Sequence, residues 1–206
     1  MKRQIIAIHG ADAYNSYKEY LKELKNEPVE RDDFKRDEER GWKDRLAKNL
    51  GNDYEVFNPE MPNASNAKYA EWKIWFEKLL RFVGKGPVFI GHSLGGIFLA
   101  RYFAENPDKH EARGVFLLAP PYKDPSTKPK ERIADFILPK DTSRLVELGG
   151  RLHFYFSKDD PVVSFSNLAK YKKIAPDANV RIFTNKGHFI LKEFPEIIEG
   201  INNSFN

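Results

Sequence analysis

Short apolar runs recur along the chain and alternate with stretches whose apolar residues are spaced as on one face of a helix. Six runs rich in valine, isoleucine, leucine and phenylalanine lie at 5–8, 54–57, 88–90, 115–119, 152–156 and 180–183. Such near-continuous runs are typical of strands buried on both faces of a parallel sheet. Helical spacing is found at 42–50, 68–83, 94–105, 167–174 and 195–203. The alternation predicts a single α/β domain over 1–206, with a mostly parallel six-stranded sheet between two layers of helices.

Two segments interrupt this alternation. Residues 14–40 are highly charged, and their first part has the spacing of a short amphipathic helix that ends before Pro28. Residues 122–150 are rich in proline and lysine, with one apolar patch at 133–138. Both segments follow predicted strands at their carboxyl ends, where α/β proteins place ligand sites. We therefore expect an insertion at about 14–40 and a small cap at about 122–150, with solvated decoration as the alternative for each.

The composition excludes several classes of protein. With 41% hydrophobic residues in 206, the chain can bury a core and is not mainly disordered. It has no cysteine, which excludes disulfides, thiolate zinc sites and a cysteine nucleophile. The net charge of +4 comes from interleaved acidic and basic residues, so no basic stripe indicates a nucleic-acid partner. Because no apolar run suits a signal peptide or a membrane span, we predict a cytoplasmic protein without a membrane partner.

A candidate nucleophile lies in the sequence Gly-His-Ser-Leu-Gly-Gly at 91–96, between the predicted strand 88–90 and the predicted helix 94–105. The pattern G-x-S-x-G is short enough to occur by chance, but a strand before it and a helix after it are typical of a nucleophile elbow. This turn projects the serine hydroxyl from the edge of the sheet, next to the free N–H groups of a helix N-terminus. The sequence therefore predicts Ser93 as a nucleophile.

A serine hydroxyl needs a base to remove its proton, and the chain has five histidines. His188 directly follows the last predicted strand, on a loop that can reach the same edge of the sheet as Ser93. We therefore predict His188 as the general base. The other four lie in the turn after the first strand, next to the serine, in a polar loop and within a strand: His9, His92, His110 and His153. We expect the side chain of His92 to point away from Ser93.

A carboxylate is needed to fix the tautomer of that histidine. Asp159 and Asp160 follow the predicted strand 152–156, which gives the chain order Ser, Asp, His of α/β-hydrolases. We choose Asp160, directly before Pro161, as the acid, and Asp159 as a residue that caps the turn. Asp159 itself and Asp124 remain alternatives for the acid.

The transition state also needs donors for its oxyanion. We predict the backbone N–H groups of Leu94, the residue after the nucleophile, and of Ala11, in the loop that follows the first strand. Gly10 lets that loop turn closely. The histidines lack the spacing of metal ligands, and no glycine-rich phosphate loop follows the first strand, so we expect no metal and no cofactor.

Taken together, these motifs resemble those of small α/β-hydrolases, and more narrowly those of the retinoblastoma-binding-type serine hydrolases. The likeness covers almost the whole chain and is carried by His9-Gly10, the 91–96 motif, Asp159-Asp160-Pro161 and Gly187-His188-Phe189. It implies a compact α/β-hydrolase fold with six strands and a triad of Ser93, Asp160 and His188. The chain differs from compact members in the 14–40 segment, and it lacks the cysteine-containing motif through which one member binds a pocket protein.

The expected activity is that of an esterase-like serine hydrolase acting on a small-molecule substrate. It would cleave a small ester, amide or thioester through an acyl-Ser93 intermediate. The alternatives are an acyltransferase and a catalytically weak or inactive member of the fold that serves as a binding or interaction module.

Overall fold

Six strands form one sheet in the computed structural model, which describes residues 2–31, 41–122 and 133–206. They are β1 (Arg3–Ile8), β2 (Tyr54–Phe57), β3 (Val88–His92), β4 (Gly114–Leu118), β5 (Leu152–Ser157) and β6 (Asn179–Phe183). Their order across the sheet is β2-β1-β3-β4-β5-β6, and every neighbouring pair is parallel. The predicted six-stranded α/β fold is confirmed, with strand ends that shift by one or two residues.

Seven α-helices connect or follow these strands in the described residues. They are α1 (Tyr17–Asn26), α2 (Leu46–Leu50), α3 (Tyr69–Leu79), α4 (Leu94–Glu105), α5 (Ser143–Val146), α6 (Asn167–Ile174) and α7 (Pro195–Asn203). The predicted helix at 42–50 begins only at Leu46, because Asp44, Arg45 and Leu46 close tight turns with N–H bonds to the carbonyl three residues earlier. The predicted helix at 68–83 ends at Leu79 and continues as one 3₁₀ turn, Leu80–Phe82.

Helices cover both faces of the sheet because successive strand residues point to opposite sides. Phe154 and Phe156 of β5 pack against Tyr171 of α6 on one face. Tyr155, between them, packs on the other face against Phe194, which precedes α7. Apart from Tyr14, the buried hydrophobic side chains of the described residues form one cluster around the sheet. This is the three-layer arrangement that the sequence predicts.

The two segments that interrupt the alternation differ in their packing. Ser16 is the N-cap residue of α1, and its hydroxyl accepts the N–H of Glu19 at 3.1 Å. None of the residues of α1 is buried. In the second segment, Ile133 bridges to Ala13, and Phe136 is fully buried against Trp72. Residues 32–40 and 123–132 of these segments, Asp124 included, lie outside the described residues. Their definition as an insertion and a cap stays a prediction.

One edge of the sheet collects the predicted site residues. Because all six strands are parallel, their carboxyl ends lie at the same edge, and the loops that leave β1, β3, β5 and β6 carry His9, Ser93, Asp160 and His188. None of the helices in the described part of the chain has both the length and the apolar character needed to cross a membrane.

Candidate active site

Ser93 lies in the sharp turn between β3 and α4. Its backbone has φ 54° and ψ −120°, a conformation with positive φ that residues other than glycine rarely adopt. The Ser93 N–H donates to the Leu118 carbonyl at the end of β4 (2.8 Å), which helps to hold the turn. Ser93 is the N-cap residue of α4, but its side chain makes no capping hydrogen bond. Its hydroxyl is therefore available for chemistry.

The glycines of the 91–96 motif permit a close approach of β1, β3 and α4. A Cβ on Gly91 would overlap the carbonyl of Gly95. A Cβ on Gly95 would lie 2.5 Å from the Ile8 carbonyl oxygen and 2.6 Å from that of His9. These oxygens belong to backbone and cannot swing aside as a flexible side chain would. The turn therefore needs glycine at both positions.

Gly95→Ala is expected to destabilise the protein by about 1–3 kcal/mol, the range typical of added atoms in a filled interior. The new methyl group would push the end of β1 away from α4. Urea unfolding followed by circular dichroism measures this loss. Gly150→Ala is the matched control, because the nearest atom to its added Cβ lies 3.9 Å away. Equal stability of the two variants would contradict the tight packing of β1 on α4.

His188 and Asp160 form a buried pair. His188 Nδ1 lies 2.8 Å from Asp160 Oδ2, and their side chains are 8% and 1% exposed. Asp160 Oδ1 accepts the backbone N–H groups of Val162 (2.8 Å) and Val163 (2.9 Å), so the carboxylate is held at both oxygens. A carboxylate only accepts hydrogen bonds, so the proton of a neutral His188 lies on Nδ1. Its Nε2 is left with a free lone pair, as a base requires.

Asp159 has a different set of partners. It accepts hydrogen bonds from the Ser157 hydroxyl and, at 3.1 Å, from the Gly187 N–H. The Ser157 hydroxyl in turn accepts the Lys186 N–H at 3.0 Å. The Ser157 hydroxyl holds the pKa of Asp159 below its usual value. Asp159 thus ties the loop after β5 to the loop that carries His188, while Asp160 makes the contact with the imidazole.

The remaining histidines have other positions or partners. His9 Nε2 accepts the Met61 N–H (2.8 Å), and burial lowers the pKa of this histidine. His153 stacks on Phe116 with ring centroids 4.2 Å apart, and burial lowers its pKa to about 4. His110 Nδ1 lies 3.1 Å from the Gly84 carbonyl, in the loop before β4. None of these three pairs with a carboxylate among the described residues.

The two backbone N–H groups that the sequence predicts as oxyanion donors belong to Leu94 and Ala11. Leu94 opens helix α4, and Ala11 follows β1, which is the neighbour of β3 in the sheet. A Cβ on Gly10 would lie 3.0 Å from the Cβ of Ser93, so this loop approaches Ser93 closely. Within the described part of the chain, neither the Leu94 N–H nor the Ala11 N–H is paired with an acceptor. Both donors can therefore bind a ligand oxygen.

Ser93 and His188 line one cavity of about 540 Å³. Helix α1, in the 14–40 segment, forms one of its walls with Tyr20 and Leu24. The described residues of the 122–150 segment do not line it: Phe136 packs on Trp72 of α3, and Ile133 bridges to Ala13.

His92 and Lys43 also line this cavity, although the sequence analysis does not predict them as site residues. The ring of His92 packs against that of His188, with centroids 4.9 Å apart, so His92 lies beside the predicted base. Lys43, from the turn before α2, lies with its Nζ 3.1 Å from His92 Nδ1. Burial lowers the pKa of Lys43 to about 8, opposed by the charge of Asp44. No local motif marks this lysine in the sequence.

Comparison with known families identifies the class to which this arrangement belongs. A model of the serine hydrolase family matches residues 33–199, well over half of the chain and including Ser93, Asp160 and His188. The chain belongs to the serine hydrolase family. The protein is therefore a hydrolase by family, and its fold is of the α/β class. A search among curated protein sequences found no significant match.

Solved structures share the fold at low sequence identity. The ydeN gene product of Bacillus subtilis superposes with a TM-score of 0.68 at 18% identity, covering 99% of both chains. A protein described as a YdeN-like hydrolase from Pectobacterium atrosepticum gives 0.64 at 13% identity, covering 99% of this chain and 91% of that one. A structure from a study of carboxylesterases of Nitrososphaera gargenis gives 0.61 at 13% identity, covering 99% and 89%.

The structure gives no indication of a metal centre where it describes the chain. Histidine, aspartate and glutamate side chains in those residues form no group of three or more that could hold a metal ion. The buried carboxylate of the site, Asp160, is occupied by an imidazole and two backbone N–H groups.

Proposed function

We propose that the protein is a carboxylesterase-like hydrolase that cleaves a small ester, amide or thioester through an acyl-Ser93 intermediate. The observation that carries the proposal is the 2.8 Å hydrogen bond from His188 to Asp160, since His188 lines the same cavity as Ser93. It leaves His188 Nε2 as a base toward a serine whose hydroxyl is not used as a helix cap. The narrower retinoblastoma-binding-type family and a cytoplasmic location stay predictions from the sequence.

In the acylation step, Ser93 Oγ attacks the carbonyl carbon of the substrate while His188 Nε2 takes the hydroxyl proton. Asp160 stabilises the imidazolium that forms through its bond to Nδ1. The carbonyl oxygen becomes an oxyanion, and the N–H groups of Leu94 and Ala11 donate to it. Collapse of this intermediate breaks the bond to the leaving group, which takes the proton from His188. An acyl-Ser93 ester remains.

Deacylation repeats these steps with water as the nucleophile. His188 Nε2 takes a proton from the water molecule as its oxygen attacks the acyl carbon. The second tetrahedral intermediate then collapses, and Ser93 Oγ leaves with the proton that His188 returns. The products are the free acid and the unmodified enzyme. An alcohol or amine that replaced the water would give the acyltransferase reaction instead, which product analysis with competing nucleophiles distinguishes.

Titration with a fluorophosphonate, combined with ester hydrolysis, tests this proposal. We expect one equivalent of probe to bind per chain and hydrolysis of a p-nitrophenyl ester to stop in proportion. Absence of labelling, in protein shown to be folded by circular dichroism, would support the non-catalytic binding module instead.

The rim of the cavity suggests the kind of acyl group. Leu24, Val162 and Ile190 come from three separate parts of the chain, line the cavity and are 53%, 56% and 78% exposed. Large apolar side chains converging on one opening leave apolar surface that a substrate can cover. We therefore propose that the substrate carries an apolar acyl group that contacts this rim.

Hydrolysis of p-nitrophenyl esters is expected to become more efficient from acetate to butyrate. Each methylene that the rim covers should raise kcat/KM by about two- to fourfold, since full burial of one CH₂ is worth about 0.8 kcal/mol. Ile190→Ser should flatten this dependence. Ile74→Ser is the control, because Ile74 is similarly exposed (59%) but does not line the cavity. Identical chain-length profiles for wild type and Ile190→Ser would refute contact with the rim.

A further inference from the structure

The loop that carries His188 has an unfavourable backbone conformation. Gly187 and Phe189, on either side of the histidine, have φ values of 50° and 56°. Positive φ suits glycine but is strained for phenylalanine, and such residues persist where surrounding contacts fix them. Contacts to this loop therefore contribute to the position of the His188 imidazole.

Three backbone carbonyls of this loop receive hydrogen bonds from side chains or backbone outside it. The Trp42 N–H donates to Leu191 O, and the Trp42 indole N–H donates to Phe189 O, both at 2.9 Å. His92 Nε2 lies 2.7 Å from His188 O, the carbonyl of the base residue itself. These bonds join the loop to two sites distant in sequence, the turn before α2 and the end of β3.

Lys43 completes this set of contacts through His92. A carbonyl oxygen only accepts, so the hydrogen of His92 lies on Nε2, and Nδ1 of the neutral ring is an acceptor. The Lys43 ammonium only donates, and its Nζ lies 3.1 Å from that Nδ1. Burial, with the charge of Lys43 second, lowers the pKa of His92 well below its usual value, so the ring stays neutral. Both partners of His92 thus require the same tautomer.

We propose that Trp42, Lys43 and His92, here called the base clamp, are positioning residues that hold the His188 loop in its productive conformation. The inference rests on the proposed role of His188 as general base. Trp42 and Lys43 act on the loop or on His92 and are not assigned to the reacting atoms. If the base clamp positions His188, its loss should lower kcat. If Lys43 instead bound an anionic substrate, its loss should change only KM for anionic esters.

The test compares Lys43→Met, His92→Leu and Trp42→Phe with wild type. We expect kcat for a neutral ester and the rate of fluorophosphonate labelling to fall by about 10- to 100-fold, since small misplacements of a catalytic group have effects of this size. KM should change little. Lys43→Arg and His92→Gln, which keep a donor at the corresponding position, should recover most of the rate. Lys48→Met, an exposed lysine of α2, is the control.

Proton NMR of the His188 Nδ1–H in its bond to Asp160 gives a readout independent of turnover. In folded Lys43→Met and His92→Leu we expect this downfield signal to shift or broaden, and in Lys48→Met to stay unchanged. Wild-type labelling rates and an unmoved signal in both variants would overturn the base clamp, as would a loss confined to KM for anionic esters. If wild type itself does not react with the probe, the proposed function fails, and the NMR comparison still decides whether the clamp holds His188.

Discussion

Ester hydrolysis by Ser93→Ala is expected to fall by about 10⁴- to 10⁶-fold in kcat, the range found when a triad nucleophile is removed. The alanine has no oxygen to form the acyl intermediate. The residual rate would come from the oxyanion donors and from substrate binding. Because the Ser93 side chain makes no capping hydrogen bond, the free energy of unfolding should stay within about 0.5 kcal/mol of wild type. Hydrolysis of a p-nitrophenyl ester measures the change in kcat, and urea unfolding measures the change in the free energy of unfolding.

Ser65→Ala is the matched control for this experiment. Ser65 is an exposed serine that lines the same cavity but follows no strand-to-helix turn. It should keep wild-type hydrolysis. If Ser65→Ala lost activity and Ser93→Ala retained it, the nucleophile would be Ser65 and the assignment of Ser93 would be wrong.

Asp160→Asn should lower kcat by about 10³- to 10⁴-fold, as the equivalent change does in other triads. The amide oxygen can still accept the N–H groups of Val162 and Val163, but the NH₂ group would then face His188 and favour the wrong tautomer. The imidazolium would also lose its stabilising charge. Steady-state kinetics with a neutral ester measures this effect, and KM should change less than kcat.

Asp159→Asn is the control for Asp160→Asn, because it removes a neighbouring negative charge without removing the hydrogen bond to His188. In Asp159→Asn, the amide oxygen can still accept the Gly187 N–H, and no contact with His188 is lost. We expect a change in kcat of less than about tenfold, because only the support of the loop is altered. If Asp159→Asn were the more damaging variant, the acid would be Asp159, the alternative that the sequence leaves open.

Much of the fold follows from the apolar pattern because strands buried on both faces need continuous apolar runs. The run at 152–156 is an example, since Phe154 and Phe156 face α6 while Tyr155 faces α7. Ser93, Asp160 and His188 each follow a parallel strand. The carboxyl ends of parallel strands meet at one edge of the sheet, so the three residues are expected to lie at that edge. These predictions need only local pattern and one rule of topology.

The cavity walls and the base clamp depend on contacts that no local pattern encodes. Lys43 and His92 are 49 residues apart in the chain, and their contact depends on how the turn before α2 packs over the end of β3. The patch at 133–138 is apolar in sequence, but only the packing of Phe136 on Trp72 shows that it serves the core and not the cavity. The hydrophobic periodicity of a segment predicts whether it is a helix or a strand, but not which other elements it packs against.

Mapping the fluorophosphonate adduct by mass spectrometry tests whether Ser93 is the nucleophile. Tryptic cleavage after Lys85 and Arg101 releases residues 86–101, in which Ser93 is the only residue with a hydroxyl group. We expect the phosphonyl mass on this peptide at Ser93, at one equivalent per chain. An adduct on any other peptide, with 86–101 recovered unmodified from inactivated protein, would contradict this assignment.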